Sequence, residues 1–261
     1  MAISVRPDAW FLLNASPDVT RQIEATPALW PSAGRKSPIA GVVLTNGDVD
    51  HVLGLFQLRE WQPLSVYATP RVLAGVAQNA MVKTLSRFRG HVVWRVLELG
   101  AELELVGADG EPSGLRVLPF AAPGKPPLHL IDTVEPSPED NIGLRVASPS
   151  GAAAVYLSAV ASLGEVVRYV DGADVLLLDG TFWSDEEPRE FGAPVAARAM
   201  GHLPISGPEG SLAAVERLRI RRGVYTHVNN TNPVLDALSP ERLLLERQGW
   251  EVARDGLSFD L

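Results

Sequence analysis

Four short stretches concentrate side chains able to bind a metal or move a proton. "LTNGDVDHVLGL" (44–55) packs Asp48, Asp50 and His51 into four positions behind an apolar run. Asp179 follows "ADVLLL" and leads into "GTFW", while His227, Asn229 and Asn230 follow "GVYT". "MGHLPISG" (200–207) places His202 between a helix and a loop. In layered α/β proteins ligands gather outside the carboxyl ends of strands, so four clusters at such ends say more than any one.

Taken singly, each cluster has an ordinary structural role. Asp48 and Asp50 are natural caps for a helix starting near His51, Asp179-Gly180 is a turn signal, and Asn229, Asn230 and Asn232 suit Asx-turns. His91, inside a strand run, reads as structural. Taken together, they point to a metal. Two histidines and a carboxylate with open positions form the facial triad of non-haem Fe(II) oxygenases, and His51, His227 and Asp50 supply that set if the ends of strands 44–51 and 223–227 meet. Zinc accepts the same donors, so donor types alone do not name the metal.

The elements that must position these residues are legible as apolar runs and turn signals. Runs at 9–14, 39–45, 64–69, 91–99 and 114–121 read as strands, and 141–158 as a hairpin turning at "SPSG". "ADVLLLDGT" (173–181) and "GVYTHVN" (223–229) are nearly continuous apolar runs, as expected of strands buried on both faces. Helices are expected at 51–61, at 70–81 from a first-turn proline, and at 162–170 from a Ser162/Glu165 capping box. Two more are expected at 209–220 and at 239–250, the last opening Ser-Pro-Glu. No linker divides two cores, so one α/β domain over 1–261 is expected.

Composition narrows the function classes. The chain has 261 residues, 46% of them hydrophobic, enough for a large core. A net charge of −8 with no basic stripe argues against nucleic acid; the arginines of "RLRIRRG" (217–223) suit a helix end. The absence of cysteine excludes disulfides, thiolate metal sites and cysteine nucleophiles. No run of 18 apolar residues provides a membrane span, and the N-terminal stretch lacks the pattern of a secretory signal. A cytoplasmic protein is expected.

The motif order also carries a resemblance. "DVDH" after an apolar strand, Asp-Gly-Thr after "LLL", "MGH" and a final "TH" follow the order of the metallo-β-lactamase superfamily. More narrowly, "LLNASPD" (12–18), "REWQPLSVYAT" (59–69), "DGTFW" (179–183), "MGHLPISGPEG" (200–210) and "THVNNTNP" (226–233) make the chain resemble the coenzyme PQQ (pyrroloquinoline quinone) synthesis protein B family. That resemblance implies an αββα sandwich, two mixed β-sheets covered by helices. The superfamily's metal loop, H-x-H-x-D-H, sets Asn46 and Asp48 where its first two histidines stand, whereas Asp50 and His51 match. "GLRVLPFAAPGKPP" offers no further histidine ligand. A mononuclear site from Asp50, His51 and His227, with Asp48 or Asp179, is therefore expected in place of a two-zinc hydrolase centre.

The function implied by the resemblance is a step of PQQ biosynthesis: hydroxylation, with Fe(II) and O₂, of the tyrosine ring of a crosslinked Glu–Tyr precursor. Zinc is the alternative metal as isolated. A carrier role, moving PQQ or its precursor toward the periplasm, is the alternative function. His202 and Asp179 are the expected acid–base residues, Asn229 and Asn230 the substrate contacts, and Lys125 and Arg198 candidates to pair with substrate carboxylates. Partners would be the small precursor and other PQQ-pathway proteins, with a homodimer as an option; neither nucleic acid nor membrane is expected. Family members usually begin with a Gly-rich, cysteine-bearing segment holding a structural zinc. This chain begins "MAISVRPDAWFLLN" without it, through a start placed downstream or loss of the segment. Its sheet is therefore expected to be short of the first N-terminal strands, and no structural cysteine–zinc site is expected.

Overall fold

Runs such as "VLLLD" and "LSVYA", with no polar alternation, become strands in which every residue is buried. The structure is a computed structural model that describes residues 1–32, 36–58, 62–79, 82–85 and 90–261. It divides into two compact units, Met1–Pro119 with Pro126–Asp140, and Phe120–Lys125 with Asn141–Leu261.

In the first unit β1 (Ala2–Arg6), β2 (Ala9–Leu13), β3 (Ile39–Val43), β4 (Leu64–Ala68) and β5 (Val92–Val96) form one sheet in that order. β1 runs antiparallel to β2 and the remaining neighbours are parallel. The helices α1 (Val19–Glu24), α3 (Pro70–Ala77) and α4 (Val82–Leu85) contribute Val19, Val72, Val76, Val82 and Leu85 to a core shared with Leu12, Val42 and Val66, and Val52 of α2 (Val49–Val52) packs against it. β6 (Leu103–Val106) pairs antiparallel with β7 (Pro112–Ala121).

In the second unit the sheet order is β12 (Trp250–Val252), β11 (Arg222–Thr226), β10 (Val175–Asp179), β9 (Ala153–Leu157), β8 (Ile142–Ala147). β8 and β9 form the expected hairpin, and β9 through β12 are parallel. The helices here are α5 (Val167–Val170), α6 (Glu187–Glu190), α7 (Ser211–Val215) and α8 (Pro240–Arg247). Their core gathers Leu157, Val170, Leu176, Leu178, Val215, Tyr225 and Leu245. Two mixed sheets with helices are thus present, as expected. No helix among the described residues is long and apolar enough to cross a membrane.

Several boundaries differ from the sequence reading for local reasons. β1, β6 and β12 were not expected. β1 is an edge strand with no buried residue, so it carries no apolar stripe. β12 takes the end of the helix expected over 239–250: α8 stops at Arg247, and Gly249, at φ 78°, turns the chain so that Trp250 joins the sheet. The Ser162/Glu165 capping box does not form. α5 begins only at Val167, and Ser162 Oγ accepts from the Gly164 N–H at 3.4 Å, a local turn favoured by glycine's poor helix propensity. The Ser239 cap does form, its hydroxyl accepting from the Arg242 N–H at 3.0 Å with Pro240 behind it. Helix 51–61 is α2 followed by a 3₁₀ turn, Leu53–Gln57. Its last residues, 59–61, and residues 80–81 of the helix expected over 70–81, lie outside the described residues.

The "NASPD" motif has a visible purpose in the first unit. Asn14, in the left-handed region at φ 61°, donates from Nδ2 to Thr45 Oγ1 and accepts the Thr45 N–H, both at 2.8 Å. The Ala15 N–H donates to His51 O at 2.7 Å, and the Gly54 N–H to Ala15 O at 2.9 Å. The turn after β2 therefore holds the polar loop after β3 from both ends.

A Cβ on Gly54 would lie 2.2 Å from Ser16 O, a clash with backbone that cannot be relieved by a rotamer. Gly54→Ala is expected to cost about 1–3 kcal/mol, and Ser239→Ala about 1 kcal/mol as a lost cap. Urea midpoints of the two variants against wild type measure both; an unchanged midpoint for Gly54→Ala would refute the close approach.

Candidate functional site

The parallel register of β10 and β11 sets Asp179 opposite Thr226, so the residues that leave both strands, Gly180-Thr181 and His227, emerge side by side. The Gly180 N–H donates to Thr226 O at 2.8 Å and the Asn229 N–H to Thr181 O at 3.1 Å. These bonds hold His227 at φ 57°, an unusual conformation for a residue with a side chain. His202 returns to the same place from farther along the chain. Gly201, at φ 93°, ends a 3₁₀ turn (Arg198–Met200). Leu203 then bonds Val160 O, while Ile205 and Ser206 bond Phe182 O and Trp183 O. Glycine in "MGH" is there for its positive φ.

The result is a buried polar cluster in the second unit. Asp179 is fully buried. Its Oδ1 accepts from the Thr181 N–H at 3.1 Å and hydroxyl at 2.6 Å. Its Oδ2 accepts from the Val160 N–H at 3.1 Å and from His202 Nδ1 at 2.7 Å. His227 Nδ1 lies 2.8 Å from Thr181 Oγ1 and 3.8 Å from Asp179 Oδ1. The two imidazoles are near-parallel, 5.6 Å apart, and Phe182 meets His202 edge-on. Burial by itself pushes the Asp179 carboxyl upward. The charge and hydrogen bond of His202, with the nearby charge of His227, outweigh it and hold the carboxyl well below the usual carboxylate range.

An ionised Asp179 is an acceptor only, so His202 must carry a proton on Nδ1 and turn Nε2 away from the carboxylate. Asp179, His202 and His227 bring ligand-type atoms within 4.8 Å of one another. With both carboxylate oxygens already engaged by two donors each, Asp179 stands behind the imidazoles in the manner of the orienting partners of metal-binding histidines. Imidazole Nε2 donors suit iron and zinc alike, so the donor chemistry fits a metal of this class.

In the first unit Asp48 is the N-cap of α2 by position, and Asp50 and His51 sit in its single turn. Asn46 is buried and its Oδ1 accepts the Asp48 N–H at 3.1 Å, which identifies that atom as the oxygen. His51 Nδ1 bonds the same oxygen and is therefore the donor, leaving Nε2 as the basic nitrogen, 3.8 Å from Asp50 Oδ2. His51 is buried while Asp50 is exposed.

The remaining expected residues divide plainly. Asn229 Nδ2 donates to Thr231 Oγ1, which donates to the buried Glu187, and Asn230 is exposed. Asn232, not Asn229 or Asn230, is the buried turn residue, donating to Gly180 O at 2.9 Å and accepting the Val234 N–H. Arg198 lies against Asp185 and donates to Glu209 O at 2.7 Å, so its guanidinium is already engaged within the protein. Lys125 runs its stem past Gly201. His91 is buried, as a structural residue should be. The parts played by Thr181, Asn46 and Glu187 were missed: "DGT" and "NGD" marked the places of the first two, and nothing marked Glu187.

A model of the β-lactamase superfamily domain matches residues 9–228. Coenzyme PQQ synthesis protein B of Xanthomonas oryzae pv. oryzae (strain MAFF 311018) is 39% identical over 268 residues, covering all of this chain and 86% of that protein. A counterpart in Methylorubrum extorquens is 42% identical over 269 residues, covering all of this chain and 87% of that one. The crystal structure of Zn(2+)-bound PqqB from Methylobacterium extorquens superposes with a TM-score of 0.92 at 40% identity, over all of this chain and 86% of the other. A diphosphatase of the PhnP family, at 19% identity and a TM-score of 0.61, shares the fold. The chain belongs to the coenzyme PQQ synthesis protein B family, within the β-lactamase superfamily.

Proposed function

We propose that this protein acts in PQQ biosynthesis as a metal-dependent oxygenase that hydroxylates the tyrosine ring of a crosslinked Glu–Tyr precursor, using Fe(II), O₂ and an external two-electron reductant, one oxygen atom entering the ring in place of hydrogen and the other leaving as water. The observation that carries the reading is the pair of histidines whose ring orientation is set from behind by a buried carboxylate and a threonine, an arrangement suited to presenting imidazoles to a metal or substrate. The Zn(2+)-bound relative supports a metal in this family, and zinc accepts the same donor types as iron.

In this reading His227 is one ligand, and Asp50 and His51, with Asp48, supply the others on residue type and on the match of "DVDH" to the superfamily's metal loop. Held by these residues, iron(II) would supply the activation of O₂. His202 takes the substrate proton at Nε2, and the ionised Asp179 behind Nδ1 stabilises the imidazolium so formed, as in a carboxylate-backed general base. Asn230, exposed beside this cluster in sequence, is assigned to the substrate's carboxylates, while Asn229 holds the loop through Thr231.

An anaerobic Fe(II) titration of wild type, His51→Ala, His202→Ala and His227→Ala tests the ligand set. One equivalent should bind to wild type and to His202→Ala and be lost in the other two. Uptake of O₂ with the crosslinked precursor and ascorbate should then fall by about 10²–10⁴ in His202→Ala, the range expected on removing a general base. Failure of wild type to bind iron refutes the oxygenase. Tight binding of PQQ with no O₂ uptake would establish the carrier instead.

A further inference from the structure

We infer that Thr181 is a positioning residue whose hydroxyl sets the tautomer of His227, fixing the proton on Nδ1 and leaving Nε2 as the basic atom. Thr181 Oγ1 lies 2.6 Å from Asp179 Oδ1, 2.8 Å from His227 Nδ1, 3.0 Å from His227 O and 3.1 Å from His202 Nδ1. A hydroxyl has one proton and two lone pairs, so these contacts cannot all be donations.

The shortest contact decides the allocation. At 2.6 Å a hydroxyl and an ionised carboxylate oxygen are tolerable only with the proton between them, which commits the Thr181 proton to Asp179 and leaves the 3.0 Å approach of His227 O a contact without a hydrogen bond. Its lone pairs then face His227 Nδ1. A bare Nδ1 at 2.8 Å would set lone pair against lone pair, so Nδ1 must be the donor. His202 needs no such help, because its own Nδ1 reaches Asp179 Oδ2 at 2.7 Å. His227 Nδ1 is 3.8 Å from the carboxylate, too far for a direct bond, and Thr181 spans that gap. The backbone fixes the hydroxyl in place: the Thr181 N–H bonds Asp179 Oδ1, Thr181 O accepts from the Asn229 N–H, and the side chain is buried.

The consequence for metal affinity rests on the reading of His227 as a ligand; the tautomer assignment does not. The test is ¹⁵N NMR of the histidine side chains in metal-free protein, above the usual imidazole pH range, beside Zn(II) titration of the same samples. Wild type and Thr181→Ser should show His227 protonated on Nδ1. Thr181→Val, which keeps the shape and loses the hydroxyl, should move His227 toward the Nε2–H form and weaken Zn(II) binding by about 10–100-fold, the usual effect of removing a ligand's supporting partner. His227 protonated on Nε2 in wild type overturns the inference outright, even if Thr181→Val fails to fold. It also falls if Thr181→Val leaves the His227 signals unchanged, or if Thr181→Ser shifts them as far as Thr181→Val does. A wild type with the expected tautomer that takes up no zinc overturns the ligand reading and leaves the role of Thr181 standing.

Discussion

A carboxylate with no exposed surface must find donors or give up its charge. Asp179 finds four, from three places in the chain: the Val160 amide, the Thr181 amide and hydroxyl, and the His202 imidazole. Each donor costs the chain freedom elsewhere. Val160 must leave β9 in step with β10, and Gly180-Thr181 must fold back at once on the end of their own strand. The segment after Gly201 must return, which it does by running against Val160, Phe182 and Trp183. Removing the charge would leave these segments without their common reason to converge.

Strain collects where this convergence is tightest. His227 is one of two residues with side chains held at positive φ among the described residues; Asn14, in the first unit, is the other. Both immediately follow a strand, and both are held by bonds across to a neighbouring loop. Such conformations persist only where surrounding bonds over-determine them. Asn14 ties the polar loop holding His51, and His227 is itself a candidate ligand, so both sites of strain lie at candidate ligand positions.

The three candidate histidines are oriented by three different acceptors: a side-chain amide for His51, a carboxylate for His202 and a hydroxyl for His227. In the proposed reading the carboxylate-backed imidazole moves the proton and the other two coordinate. Asn46 illustrates the same economy: the superfamily's histidine position carries instead the residue that turns His51.

Most strands, the Ser239 cap and the polar clusters at strand ends follow from sequence, because apolar runs, β-branched residues and turn chemistry act over a few neighbours. The family motifs likewise named Asp179, His202 and His227 before any geometry was known. What the sequence could not say is what each polar residue faces. Asp48 reads equally as cap or ligand, Asn232 as well as Asn229 as a turn residue, and Thr181 as an ordinary turn threonine. β1 escaped notice because an exposed edge strand needs no buried stripe, and β12 because three residues carry no period. Which partners meet within the cluster was decided only by tertiary structure. A hydrogen bond is decided within a fraction of an ångström, and it was the parallel register of β10 and β11 that brought Thr181 and His227 within that reach.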